Sequence, residues 1–479
     1  MIPDTHTDDK GRWGLRRWLR SSFRSPKKIV VKHTWGQTQQ FRTVIFALQF
    51  LLYLGIPWWQ WGDRPAVLFD IGNRKFHLWG LTIWPQEFYL LTLLLIVFAL
   101  TLFLATAVVG RLFCSVGCPH TTMTSLFMEI ERRVQGDRMA RMKLSKAPWN
   151  AEKVAKLGLT QFLYVLASLI LGGTFVAYFV GAKAMLTGVL TLSLAPATLI
   201  AWLIVAAIVY TFAALAREKI CQVACPYGRF QSVMIDPNSL IVAYDVQRGE
   251  PRGKYRAGQV SEFKDCVDCS MCVQVCPAGI DIRNGLQMEC IGCARCIDAC
   301  DDVMTKIKRP KGLIRLGSMN SFAGKETKIV RPRVIVYASV VTLALAGIIG
   351  TLATRPVVTA EIIRNRDALY RELPDGRIAN VYTLRAINKS EVPQVVHLEI
   401  TGVENPELFM GTNPVTLPPG SVESLNLSVV APAAECKPGV NAIRLELRDP
   451  ASGKVRSAVD TTFMAPVQIS KDDKEESTL

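Results

Sequence analysis

Eight cysteines fall into two runs of one pattern, Cys266-x2-Cys269-x2-Cys272-x3-Cys276-Pro277 and Cys290-x2-Cys293-x2-Cys296-x3-Cys300. In such a run three closely spaced thiolates hold three corners of an iron–sulfur cubane, and the fourth reaches across to a second cluster. The spacing therefore predicts one [4Fe-4S] cluster on Cys266, Cys269, Cys272 and Cys300, and another on Cys276, Cys290, Cys293 and Cys296. Structural zinc is the competing reading, but zinc takes four ligands in pairs, and a triplet with a distant fourth, given twice, fits it badly. Asp301 stands where the second run would carry its proline, and with Asp302 it brings negative charge expected to lower the potential of the second cluster.

Four further cysteines form a second repeat, Arg111-Leu-Phe-Cys114-Ser-Val-Gly-Cys118-Pro119 and Glu218-Lys-Ile-Cys221-Gln-Val-Ala-Cys225-Pro226. On a helix, residues i and i+4 share a face, so each pair would present two thiolates together. If the two hairpins pack as a pseudo-symmetric pair, all four converge. Soft thiolates select Cu(I), zinc or iron–sulfur centres, which leaves a copper station, a further metal centre or a redox-active dithiol open, beside small residues at a crowded helix end. His120 is a candidate nitrogen ligand or an ordinary hydrogen-bonded histidine; Met123 and Met128 read as packing, His33 and His77 as interfacial residues, and Cys436 as an inert thiol. The chain carries no P-loop, flavin or nicotinamide fingerprint, so electrons are expected from another protein or from quinol.

The elements that must position these groups are apolar stretches of membrane-spanning length. Five are expected: Thr43 to Trp59, Phe88 to Gly110, Leu157 to Val180, Pro196 to Leu215, and Val334 to Thr351. The run Leu186 to Leu194 is too short to cross and is expected at the interface or as an extension of the fourth helix. Ahead of the first span lie Arg16, Arg17, Arg20, Arg24, Lys27 and Lys28, and between the second and third lie Arg132, Arg133, Arg138, Arg141, Lys143 and Lys146. By the positive-inside bias these segments are cytoplasmic, as is the cysteine-rich insert, and the tail is periplasmic in a bacterial inner membrane. The expected division is a basic leader (1–42), a four-helix membrane region (43–215), a two-cluster ferredoxin insert (216–333), a fifth helix (334–353) and a tail (354–479). In the tail Val396, Leu398 and Ile400 alternate with His397 and Glu399, and Ile443, Leu445 and Leu447 with Arg444 and Glu446. Alternation broken by turns such as Pro374-Asp375-Gly376 predicts an antiparallel β-sandwich.

Composition agrees. Of 479 residues 50% are hydrophobic and 20% charged, with a formal charge of +16, which excludes a disordered or fibrous chain. The positive charge flanks the spans instead of forming an aromatic-interleaved patch, which argues against nucleic acid as a partner.

In the order of its parts the chain resembles the CcoG family, also called FixG or RdxA, the accessory proteins of cbb3-type cytochrome c oxidase. The resemblance rests on the paired Cys-x3-Cys-Pro motifs, the two-cluster insert, one further span and the β-sandwich tail. It implies a multi-domain membrane protein with an immunoglobulin-like tail that reduces Cu(II) to Cu(I). It further implies copper ions, oxidase assembly factors or a copper transporter, and an electron donor as partners, with Cys114, Cys118, Cys221 and Cys225 matching the family's membrane motifs. Two other functions compete: a quinol-linked conduit to a periplasmic reductase, as in NapH- and NosR-like proteins, and a non-redox assembly scaffold.

Overall fold

The computed structural model describes residues 29–254, 263–365 and 368–467; the leader up to Lys28, and Ser261 in the insert, lie outside the described residues. Five helices are long and apolar enough to cross a membrane: Gln37–Trp58, Pro85–Val109, Ala151–Val180, Pro196–Ala216 and Pro332–Ala353. Large side chains such as Leu95 and Phe98 on the second and Ile200 and Ile204 on the fourth are exposed, as a surface solvated by lipid requires. The third helix begins at Ala151 rather than Leu157, because Asn150 caps it by accepting from the Lys153 amide at 2.8 Å. The Lys153 ammonium then turns back onto the Ala147 carbonyl at 2.6 Å. Ala182–Leu190 is a separate short helix whose Ala182 and Met185 pack on Val176 and Ala177 of the third span. Between the first two spans lies a three-stranded antiparallel sheet, Val67–Asp70, Lys75–Leu78 and Leu81–Ile83. Strands of three and four residues are too short to register as alternation.

The chain forms two compact units, Met1–Leu345 and Ala346–Leu479. In the second, one sheet orders its strands Glu407–Phe409, Val422–Pro432, Arg377–Asn388 and Val358–Arg364, and the other Val415–Leu417, Gln394–Thr401, Gly439–Arg448 and Val455–Ala465. Val396, Leu398 and Ile400 point into the shared core with Leu445, Leu447 and Phe463, so the period-two pattern sorts each strand between core and solvent. The Tyr382 hydroxyl, buried in that core, donates across the sheets to the Thr462 carbonyl at 2.8 Å.

In the first unit the cysteine-rich insert sits on one end of the spans and is tied there by polar contacts. Its short sheet pairs Ile241–Tyr244 with Ile314–Gly317, and its small core joins Val242, Tyr244, Ile282, Met304, Leu313 and Ile314 to cysteines of both runs. Where the second span ends, Gly110 adopts φ +55°, and a Cβ there would stand 2.6 Å from the Leu240 carbonyl. The close approach lets Leu240 N donate to the Val108 carbonyl at 3.0 Å. At the first span the N-terminal Gly36 has no side chain to cap the helix. The cap comes from the insert: the Asp298 carboxylate accepts from the amides of Thr38 (3.2 Å) and Gln39 (2.8 Å). A Cβ on Gly36 would lie 2.4 Å from the Asp298 Cγ, so glycine is what admits this carboxylate. An anion at a helix N-terminus meets unpaired N–H groups and the positive end of the dipole. Asp298→Ala is expected to cost about 1–2 kcal/mol of docking stability, seen as faster hydrogen exchange at Thr38 and Gln39.

Candidate electron-transfer site

The two cysteine runs fold alike. In each, the residues on either side of the second cysteine are left-handed: Asp268 (φ 50°) and Ser270 (φ 54°) around Cys269, Gly292 (φ 67°) and Ala294 (φ 57°) around Cys293. Such turns cost energy that the surroundings must offset, and here they coil each run so that its first three thiols face one space. One cavity is lined by Cys266, Cys269, Cys272 and Cys300. The adjoining one is lined by Cys276, Cys290, Cys293 and Cys296, with Cys272 in its wall as well. All eight thiols are free, and apolar Val242, Ile280 and Ile282 close the second cavity. Four soft donors lining one space fit a cubane cluster. Burial pushes the Cys272 thiol up to about 11 and those of Cys276 and Cys300 up to about 12, so a cationic centre must displace their protons. Asp301 accepts from the Gly312 amide at 2.8 Å and raises the Cys300 thiol after burial, Cys272 and Cys269. Its charge thus falls on the cavity of Cys266, Cys269 and Cys272, across from the triplet of its own run.

Both membrane motifs contact the loops that carry the cysteines of the second cavity. From the first, the Arg111 guanidinium donates to the carbonyls of Met288 and, at 2.5 Å, Cys290. A Cβ on Gly292 would stand 3.2 Å from that of Arg111, so the glycine permits the approach. From the second, the Gln222 amide donates to the Ala278 carbonyl at 3.4 Å, two residues beyond Cys276. A small cavity lined by Cys221, His120, Pro277, Ala278, Ile291 and Arg295 lies between them.

The motifs themselves are structural copies. Gly110 (φ 55°, ψ −117°) and Arg217 (φ 44°, ψ −124°) make the same sharp turn four residues before the first cysteine. Each motif then forms a π-turn, Phe113–Gly117 and Ile220–Ala224, and each second cysteine is extended, Cys118 at ψ 121° and Cys225 at ψ 111°. The helical i, i+4 face expected from spacing is therefore corrected: the wide turn closes through Cys118 N to the Phe113 carbonyl (2.9 Å) and Cys225 N to the Ile220 carbonyl (2.8 Å). A proline follows each and starts a helix, where its missing N–H is not needed. The two thiol pairs lie within electrostatic reach of each other. Burial lifts Cys114 to about 11 and Cys221 to about 12, and Cys118 and Cys225 act on both as near neighbours. Among the described residues no three His, Cys, Asp or Glu side chains are set to share one metal ion, so this is an open group rather than a closed tetrahedral site. Protonated thiols compete with metal; a soft cation, were it bound here, would release protons and bind more tightly as pH rises from 6 to 9, read by calorimetry in buffers of different ionisation enthalpy.

Polar residues that the cysteine spacing does not reveal hold this group. Gln231, wholly buried, accepts from the Cys114 thiol at 3.2 Å, and its side chain also bears on the Tyr227 hydroxyl. Arg42 and Gln49, on the first span, donate to the carbonyls of Ser115 (3.3 Å) and Val116 (2.7 Å) left over by the π-turn. His120 lies 2.9 Å from the Arg217 carbonyl, which links the motifs rather than adding a ligand. For Arg42 and Gln49 the available signal was polarity inside an apolar span, where an ionisable or amide residue has a buried partner.

Three families of known domains match this architecture. The 4Fe-4S dicluster domain matches residues 216–319 and a 4Fe-4S binding domain matches 91–136. The immunoglobulin-like fold at the C-terminus of FixG, a candidate oxidoreductase, matches 348–466. Protein RdxA of Cereibacter sphaeroides is 41% identical over 379 residues, 76% of this chain and 80% of that protein. Protein RdxB of the same organism is 36% identical over 466 residues, 92% of this chain and 97% of that one.

The chain belongs to the FixG/RdxA family.

Nitrogen fixation protein FixG of Rhizobium meliloti is 32% identical over 424 residues, 80% of each chain. A FixG-related protein of known structure from Vibrio parahaemolyticus covers 23% of this chain and 96% of its own at 24% identity, with a TM-score of 0.21. As a FixG/RdxA protein the chain is a membrane iron–sulfur protein with two clusters and an immunoglobulin-like C-terminal domain.

Proposed function

We propose that the chain conducts single electrons to Cu(II) at the four membrane-motif thiols, yielding Cu(I) for assembly of a cbb3-type cytochrome c oxidase. The observation that supports this reading is the contact of both motifs with the loops that carry the second cavity's cysteines, Arg111 on Cys290 and Gln222 on Ala278, two residues beyond Cys276. One-electron transfer is the chemistry a bound [4Fe-4S] cluster supplies. Cys266, Cys269, Cys272 and Cys300 hold one cluster, and Cys276, Cys290, Cys293 and Cys296 the other. Cys272, in the wall of both cavities, keeps them adjacent. Cys114, Cys118, Cys221 and Cys225 take the cupric ion as substrate. It gains one electron, Cu2+ + e− → Cu+, and soft thiolates favour the product over the substrate. The basic segments support a cytoplasmic insert and a periplasmic tail.

Anaerobic protein reduced with dithionite and freed of excess reductant should convert Cu(II) to Cu(I), trapped by a Cu(I)-specific chelator, as the cluster absorbance bleaches and recovers. Quinol oxidation without any Cu(I) would replace copper by the quinol-linked reading. Cys118→Ser and Cys225→Ser are expected to keep the iron content and reduced-cluster spectrum while lowering Cu(I) production about 10–100-fold. Unchanged production would remove the membrane thiols from the reaction.

A further inference from the structure

A cavity of about 350 Å3 lies between the first span, the Pro119–Gln135 helix and the segment that leads into the first span. It is separate in character from the cysteine-lined cavities, for its two ends differ in polarity. Phe46, Ala47 and Phe50 of the first span and Leu126 of the neighbouring helix wall one end. The other holds five cations, Lys32, Arg132, Arg133, Arg141 and Arg295, with Glu129 the one carboxylate lining it among the described residues.

The internal pairing leaves positive charge over. Glu129 is shared by Arg132 (2.7 Å) and Arg133 (2.9 Å), and Arg141 pairs with Glu131 behind the wall. Arg295 gives its Nε to the Gln39 side chain at 3.1 Å and Lys32 points its ammonium at the Met271 sulfur at 3.5 Å. Neither makes an ion pair with a carboxylate among the described residues. The sequence just ahead, with Arg24, Lys27 and Lys28, bears the same sign, so charge opposes the leader as the occupant.

The depth sets the second requirement. Gln39 and Phe50, both lining residues, stand about 16 Å apart along a helix that rises 1.5 Å per residue, which spans the headgroup region and reaches the acyl chains. Trp35, 65% exposed and stacked on His33, stands at the mouth, where an amphipathic indole suits the interface. The occupant must be anionic at one end and apolar at the other, and it must arrive from the bilayer.

We propose that this cavity binds one anionic phospholipid, its phosphate among Arg132, Arg133, Arg295 and Lys32 and the start of an acyl chain against Phe46, Ala47 and Phe50. A basic pocket between membrane helices is a known form of headgroup recognition. Here it lies beside Arg295, between Cys293 and Cys296 in the chain.

The test is native mass spectrometry of the full, iron-loaded protein in detergent with an equimolar mixture of phosphatidylglycerol and phosphatidylcholine. One phosphatidylglycerol should be retained in preference, and Arg132→Gln/Arg133→Gln should lower that preference about tenfold or more, from the ~1 kcal/mol each cation contributes near an anionic headgroup. Iron content should not change, which separates loss of the site from loss of the fold. Equal retention of the two lipids by the wild type, or an unchanged preference in the variant, would overturn the site. So would displacement of the lipid by a quinone. Displacement by millimolar inorganic phosphate as effective as by lipid would make the ligand a free phosphate and overturn the lipid assignment. None of these outcomes depends on copper chemistry.

Discussion

Cys300→Ser is expected to empty the cavity of the other run, taking iron from about eight to about four per chain while the centre at Cys276, Cys290, Cys293 and Cys296 keeps its signal. The reason is topological. Cys300 ends the second run in sequence, yet the Arg295–Lys306 helix carries it to the wall lined by Cys266, Cys269 and Cys272. Cys276→Ser should do the converse, since Cys276 lines the cavity of Cys290, Cys293 and Cys296. Each variant should reduce to a single centre, so that the magnetic coupling of two neighbouring reduced clusters disappears from the electron paramagnetic resonance spectrum, and copper reduction should fail in both. Iron analysis decides the assignment: a Cys300→Ser protein that lost the centre of Cys290, Cys293 and Cys296 would show that each run holds its own cluster. Zinc in place of iron in the wild type would end the electron-transfer account altogether.

Glu131→Gln is expected to be the most damaging change outside the cysteines. Glu131 is 1% exposed and pairs with both Arg217 (2.6 Å) and Arg141, and the Arg217 guanidinium also donates to the Tyr164 hydroxyl at 2.8 Å. Removing the carboxylate leaves two buried guanidinium groups without their counter-charge, a loss of about 3–5 kcal/mol. The backbone adds to it. Arg217 holds the left-handed turn that Gly110 holds in the sister motif, a conformation that disfavours a side chain, and its ion pair with Glu131 offsets that strain. The expected result is a sharp fall in thermal stability in detergent and loss of the Cys221 and Cys225 environment before loss of cluster iron. Replacing Glu131 and Arg217 together by apolar residues should recover part of the stability. A single variant as stable as wild type would mean that the pair is not what holds the turn.

Much of this molecule is written in short-range pattern. The five spans follow from uninterrupted apolar length, the β-sandwich from alternation at Val396, Leu398 and Ile400, and the grouping of cysteines from spacing, because each is a local periodicity that burial or ligation reads directly. The three short strands between the first two spans escaped that reading, being shorter than the window in which alternation shows. So did the π-turns: Cys114 and Cys118 look helical in sequence, and only the packing of Arg42 and Gln49 against the freed carbonyls of Ser115 and Val116 accommodates the wider turn.

The sequence by itself determined the chemistry on offer: soft sulfur donors in cluster-binding runs, two more pairs beside membrane helices, and a tail that alternates. Tertiary structure alone decided where these meet. The Asp298 cap on the first span, Arg111 on the Cys290 loop, Gln231 on Cys114 and the surplus of cations around one deep cavity join residues far apart in the chain. Contacts of that kind are fixed by how several elements pack at once, and no periodicity along the chain encodes them.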